Sequence, residues 1–260
     1  MENIIISTEF LTDIQFGEKK DFKIKAVVIN PKGYEKFCNM DIMGKTSKSY
    51  VKESLSAYPT FETDEKNSLE ETLSGFCENC DFIIALFADT PLVTNAIVLD
   101  SVEYATTKNL DFCHLPRGFI IKASALGKSF ELMSEANFLP AREFIRVFDF
   151  KTLCDVRENM KNRIIDFHLK NGVNILDRQS VYIESDVIIE QNVTICAGNT
   201  IKGNSVVQKG TTLCENNLIE NSVIGEGSSL VCCNIKNAKI KNASKLKFEN
   251  IWSDKKWNLL

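Results

Sequence analysis

The chain has 260 residues, of which 25% are charged and 44% hydrophobic, and a formal net charge of −4. No Lys/Arg run supplies a nucleic-acid surface, and no apolar stretch approaches the ~20 residues that span a bilayer. The opening MENIIISTEF has neither a basic start nor a cleavable apolar core, and nine scattered cysteines form no framework, so a cytoplasmic protein with reduced thiols is expected.

In chain order, residues 23–29 (KIKAVVI) read as a buried strand. Helices are expected over 45–56 and over 67–77, the second with Asn67 as its cap. The continuous apolar run DFIIALFA (81–88) has the pattern of a central parallel strand covered on both faces. A helix near 94–107 and a strand near 117–123 follow, and this alternation implies an α/β layer. Leu153, Val156, Met160, Ile164 and Phe167 lie at helical spacing, predicting a helix over 150–170 that Asn171-Gly172 terminates.

The last third carries a different period. Ile183, Ile189, Ile195, Ile201, Val207, Leu213 and Ile219 stand six apart. That spacing fits neither a helix nor an ordinary strand. The positions two before each are Val, Asn, Ser or Thr, with Gly, Asn and Asp common between. Such hexapeptides build a parallel β-helix, three to a triangular coil, with the aliphatic residue inward. After Ile219 the step shortens to five and continues through Ile224, Leu230, Ile235, Ile240 and Leu246, giving room for three to four coils between Ile183 and Phe248. A sandwich of short strands is the alternative, but it requires no strict period of six. No linker is rich in Pro, Gly or Ser, so the solenoid should pack closely on the preceding layer.

The stretch 157–231 resembles the bifunctional N-acetylglucosamine-1-phosphate uridyltransferase/glucosamine-1-phosphate acetyltransferase family. The resemblance lies in the connecting helix, the turn Asn171-Gly172-Val173 with Ile175 and Asp177, the first coils, and the five-residue step at IENSVI (219–224). Upstream, FADTPLV (87–93) is similar to the family's GDxPL strand end. The resemblance implies a Rossmann-like nucleotidyltransferase domain over 1–149, a linker helix over 150–172 and a left-handed β-helix with a tail over 173–260. It also implies that Asp89 stands where the family holds catalytic Mg²⁺, a hard cation that carboxylate and phosphate oxygens share. A homotrimer joined through the β-helix is a further family expectation.

The same comparison marks departures. The family's glycine-rich phosphate loop is replaced by Asn30-Pro31-Lys32-Gly33-Tyr34-Glu35-Lys36-Phe37, in which only Gly33 retains a phosphate-binding role. Pro31 lacks an N–H, Glu35 brings negative charge, and Lys32 and Lys36 are the candidate compensating cations. The uracil-reading glycine loop has no counterpart in ETDEKNSLEETLSG (62–75). The family's second metal ligand falls at Phe148, which cannot bind a metal, and the adjacent Asp149 would face the other way in a strand. The only histidines, His114 and His168, precede the solenoid, so acetyl transfer lacks its base. His168 is expected to be a packed or capping residue.

Other patterns are weaker. Cys77-Glu78-Asn79-Cys80 needs a second ligand pair for zinc, with Cys113-His114 the candidate, and for redox use it would have to open a helix. Arg117, in a turn entering a strand, is expected at the surface, with a phosphate contact as the alternative. Asn192-Val193-Thr194 is a glycosylation sequon without a secretory context. Trp252 and Trp257 are expected to cap the solenoid's open end or to dock on the other domain. Two functions follow: a degenerate nucleotidyltransferase-like protein that binds a nucleotide or nucleotide sugar or acts as an assembly or regulatory partner, and an active Mg²⁺-dependent enzyme making a UDP-sugar and pyrophosphate from UTP and a sugar 1-phosphate.

Overall fold

The computed structural model describes residues 22–139 and 142–253. In chain order its first part contains β1 (Ile24–Asn30), α1 (Glu35–Cys38), β2 (Asp41–Ile42), β3 (Lys45–Thr46), α2 (Ser47–Ser54), β4 (Thr60–Asp64), α3 (Leu69–Leu73), β5 (Phe82–Phe87), α4 (Asn95–Thr107), β6 (Phe112–Leu115), β7 (Gly118–Lys122) and β8 (Glu135–Asn137). Six strands form one mixed sheet in the order β4-β1-β5-β7-β6-β8. β5 runs parallel to β1 and antiparallel to β7, so the central strand is parallel on one side only.

The apolar run of β5 is continuous because both sheet faces are covered. Phe82, Ile84 and Leu86 join Val51 of α2, Leu55 at its C-cap, and Val98 and Val102 of α4. Ile83 and Ala85 alternate to the opposite face, against Leu73, Phe119 and Ile121. Thr46 and Thr94 cap α2 and α4 by accepting from Ser49 N–H and Ile97 N–H. The helix expected over 67–77 is only Leu69–Leu73, and its cap is Ser68, whose hydroxyl accepts from Glu71 N–H, rather than Asn67. That over 45–56 is likewise shorter, its first two residues pairing as a strand.

The connecting helix α5 (Phe150–Lys170) spans the expected residues and is ~30 Å long. Asp149 and Thr152 form a reciprocal capping box at its start. Asp149 is therefore a helix cap and not a strand residue, and hydrogen bonds from Thr152 hold its carboxyl below the usual carboxylate range. One end of α5 packs Leu153, Val156 and Met160 on Ile42, Met43 and Val147, and the other sends Ile165 into the solenoid core. The first coil also touches the α/β layer directly. Ser185 N–H donates to Met43 O at 3.0 Å, and Lys45 Nζ bridges Glu53 at 2.7 Å and Asp186 at 2.6 Å.

Between residues 174 and 252 the chain winds as a left-handed parallel β-helix. Strands of two or three residues are dealt in turn to three parallel sheets of five, four and five. That is four full coils and a strand beyond at either end, slightly more than the sequence period suggests. Like stacks on like: Ile183, Ile201, Ile219, Ile235 and Ile251 are register partners in successive coils. Ile201, Val207, Leu213, Ile219, Ile224, Leu230 and Ile235 are all at 0% exposure. Burial of each contributes about 1.5–3 kcal/mol.

The small polar residues two before the aliphatic positions stack at the corners and satisfy the next coil. Asn217 Nδ2 donates to Asn199 Oδ1 at 2.9 Å, and Cys233 N–H donates to Asn217 Oδ1 at 2.8 Å. Ser222 N–H bonds Ser205 Oγ, and Ala238 N–H bonds Ser222 Oγ, in the same way. The coil narrows along its length, from eighteen residues between Ile183 and Ile201 to sixteen between Ile235 and Ile251. Early corners place Gly198, Gly203 and Gly210 at positive φ, whereas later ones place Cys232, Ala243 and Phe248 there. Trp252 does not cap the end: it lies in the last strand at 68% exposure, and Trp257 lies outside the described residues.

Candidate functional site

The C-terminal ends of β1 and β5 deliver the loop 30–37 and Asp89 to one edge of the sheet, the place where α/β folds bind ligands. Asp89 is completely buried. Its carboxylate is gripped by two guanidiniums. Arg117 donates from Nε to Oδ1 at 3.2 Å and from Nη2 to Oδ2 at 3.1 Å, and Arg146 donates from Nε to Oδ2 at 2.6 Å.

Local structure explains both partners. Arg117 sits in the two-residue turn joining β6 to β7, since Leu115 pairs with Gly118. A Cβ at Gly118 would lie 2.5 Å from Ala85 O, so only glycine lets this hairpin approach β5 and bring Arg117 to Asp89. Arg146 arrives on the segment before α5, where Val147 N–H donates to the main-chain oxygen of Asp89 at 2.7 Å. Each guanidinium also lies over an aromatic ring: Arg117 on Phe87 at 3.7 Å, and Arg146 on Tyr34 at 4.3 Å. Arg117 is thus a half-buried ion-pair partner rather than the surface residue its turn implied. Phe148 is exposed, 5.7 Å from the Arg146 guanidinium.

The loop residues take separate paths. Gly33 adopts φ +82°, with nothing within 4 Å of where a Cβ would stand, so it serves the turn rather than a close approach. The Gly33 amide donates to the Glu35 carboxylate at 3.0 Å, and the Lys32 amide to that of Glu65 at 2.9 Å. Carboxylates of the chain itself therefore sit on the amides that a phosphate would use. The Lys32 side chain has no partner among the described residues, while Lys36 Nζ leans over Phe150 at 5.1 Å and Phe37 at 5.9 Å. Cys38 lies nearby, its thiol pushed up to about 12 by burial, with the charge of Asp89 adding.

A divalent cation does not fit this constellation, because both oxygens of Asp89 face positive charge. Among the described residues no three His, Cys, Asp or Glu side chains converge as a metal set. The cysteine pair is not a zinc half-site either: Cys77 and Cys80 pack against one sheet face and donate to main-chain carbonyls, whereas Cys113 is buried on the other face. His168 is buried and packed where α5 meets the solenoid, and His114 bonds Glu135 at 2.9 Å. No helix of the described residues is long and apolar enough to cross a membrane.

An open cleft of about 790 Å³ lies elsewhere, between α5 and the first coil, lined in part by Cys154, Arg157, Lys161, Arg178 and Tyr182. Its cations are already engaged: Arg157 on Asp41 O, Lys161 on Gln179 O, and Arg178 on Asp166. The Asp89 cluster is therefore the stronger candidate site.

No protein-family model matches the chain. The "Bifunctional protein GlmU" of Clostridium acetobutylicum is 34% identical over 102 residues, 39% of this chain and 22% of that protein. That of Alkaliphilus oremlandii is 32% identical over 100 residues, 38% of this chain and 22% of that protein. Over these residues the chain is similar to GlmU. It spans about a fifth of the length of the GlmU proteins it matches. Among solved structures, a CMP:2-keto-3-deoxy-manno-octonic acid synthetase complexed with CTP superposes with a TM-score of 0.41 at 14% identity, covering 54% of this chain and 99% of that one.

The residue that sequence comparison with the GlmU pattern missed is Arg146. The available signal was an arginine two before the position of the lost metal ligand, flanked by apolar residues in FIRVF. A cation in such a segment needs an anion, and Asp89 supplies it.

Proposed function

We propose that this chain retains a sugar-nucleotidyltransferase scaffold without its catalysis, as a binder of a nucleotide or nucleotide sugar that assembles through its β-helix. In this reading residues 1–149 face the ligand, 150–172 connect, and 173–260 assemble, with a trimer the expected state. The observation that carries it is the internal consumption of the phosphate machinery. The loop amides of Lys32 and Gly33 are bonded to Glu65 and Glu35, and Asp89 to two arginines. A triphosphate in the usual loop would have to displace two carboxylates, and a magnesium ion would have to displace a guanidinium from a buried carboxylate.

The test is pyrophosphate release from each nucleoside triphosphate with Mg²⁺ and a panel of sugar 1-phosphates. No turnover is expected. Turnover that Asp89→Ala abolishes would establish instead the Mg²⁺-dependent uridyltransferase. Light scattering tests the trimer, and a monomer at micromolar concentration would exclude assembly through the solenoid alone.

A further inference from the structure

We infer that Arg117 and Arg146 act in place of the divalent cation and hold the diphosphate of a nucleotide or nucleotide sugar without metal. This deepens the binding reading above and rests on it.

Two unit positive charges meet one buried carboxylate, so the cluster keeps an excess charge of one. Asp89 is at 0% side-chain exposure, while Arg117 and Arg146 are at 23% and 32%, so the positive side of the cluster faces the solvent. Arg117 spends Nε and Nη2 on Asp89, and Arg146 spends only Nε. Nη1 of Arg117 and both Nη groups of Arg146 have no partner among the described residues. The cation–π contacts on Phe87 and Tyr34 occupy none of these N–H groups with a hydrogen bond.

Ion pair and ring together fix each arginine before any ligand arrives, which reduces the ordering cost of binding. Planar guanidiniums suit the oxygens of a phosphate and bind them in forked pairs. Asp89 thus changes its task. It anchors two fixed cations instead of holding a diffusible one. Glu35 and Glu65 already occupy the loop amides, which favours a ligand that meets the arginines with its diphosphate and does not thread the loop.

Calorimetric titration of inorganic pyrophosphate and of UDP into the full chain tests this, first in EDTA and then in excess magnesium. The expected result is binding in EDTA with an affinity that magnesium does not raise. Arg117→Gln and Arg146→Gln each weaken it by about tenfold or more, the loss of one charge-assisted forked contact. Asp89→Asn is the discriminating variant: it keeps an acceptor for the arginines, which stay on their rings, and removes the one negative charge, so binding persists, whereas a metal-bridged site loses binding. A circular-dichroism melt confirms that each variant is folded. Binding that requires magnesium, binding lost in Asp89→Asn, or no binding of either probe in both buffers would overturn the assignment. Pyrophosphate release alongside metal-independent binding would instead overturn only the non-catalytic reading.

Discussion

Two variants, one single and one double, break the ion pairs at Asp89 and should not cost the same. Asp89 accepts three N–H bonds, at 3.2, 3.1 and 2.6 Å, and is shut off from water, while its arginines are not. At an effective dielectric constant near 20, each unit-charge pair about 4 Å apart is worth ~4 kcal/mol, so the two attractions total ~8 kcal/mol. Desolvation of the carboxylate, several kcal/mol, and repulsion between the guanidiniums cancel most of this. What decides stability is which charge is left stranded. Asp89→Asn retains an oxygen acceptor, and both guanidiniums can rehydrate at their exposed edges while staying on their rings. Its cost is about 1–2 kcal/mol, the scale of weakened charged hydrogen bonds. Replacing both Arg117 and Arg146 with Met leaves a carboxylate with neither water nor cation, at about 3–5 kcal/mol. Urea unfolding followed by far-ultraviolet circular dichroism measures both. If Asp89→Asn destabilises as much as the double Met variant, the arginines are not what keeps the buried carboxylate, and the account of the site fails.

Ile219→Ala, in the middle of an aliphatic ladder at 0% exposure, should lower stability by about 2–5 kcal/mol in the same unfolding assay, without altering the binding of pyrophosphate. Burial holds His168 below its ordinary 6.5, so the unfolded chain takes up that proton more readily than the folded one. Stability should therefore fall as pH drops from about 7 through 6.5 toward about 5, and the melting temperature of His168→Leu should be flatter over that window. Burial pushes Cys38 up to about 12 and Cys113 up to about 11, whereas Cys154 is exposed. An aromatic disulfide reagent should modify Cys154 in the native protein and reach Cys38 and Cys113 only after denaturant is added, as peptide mapping would report.

The solenoid was legible because each of its residues answers to one neighbour in the next coil, a constraint that recurs every six positions. Helix α5 was legible because its apolar stripe and its Asn-Gly stop agree, although its cap at Asp149 was read as a strand position. β4 was not, since Thr60–Asp64 is an edge strand with mostly exposed, polar side chains and leaves little periodic trace. Asp89 was found through its strand-end motif, but its partners lie 28 and 57 residues away. No local pattern could join them, because that contact is made by the hairpin turn at Pro116-Arg117 and by the segment entering α5. The loop carboxylates divide similarly: Glu35 could be read as a negative charge near the phosphate position, while Glu65 arrives through the pairing of β1 with β4.

The narrowing of the coil gives the solenoid a direction of disassembly. Its first coil is clamped by α5 and by the Lys45–Asp186 bridge, and its early corners turn on glycine or asparagine. Its late corners force Cys232, Ala243 and Phe248 into left-handed backbone at φ 50°, 55° and 57°, each at a cost of roughly 1–2 kcal/mol. A stack held only by nearest neighbours has no means of sharing that strain with the rungs before it. The β-helix should therefore unzip from its far end rung by rung, so that thermal or mechanical load sheds the last coils before it reaches the junction with the arginine-bearing sheet.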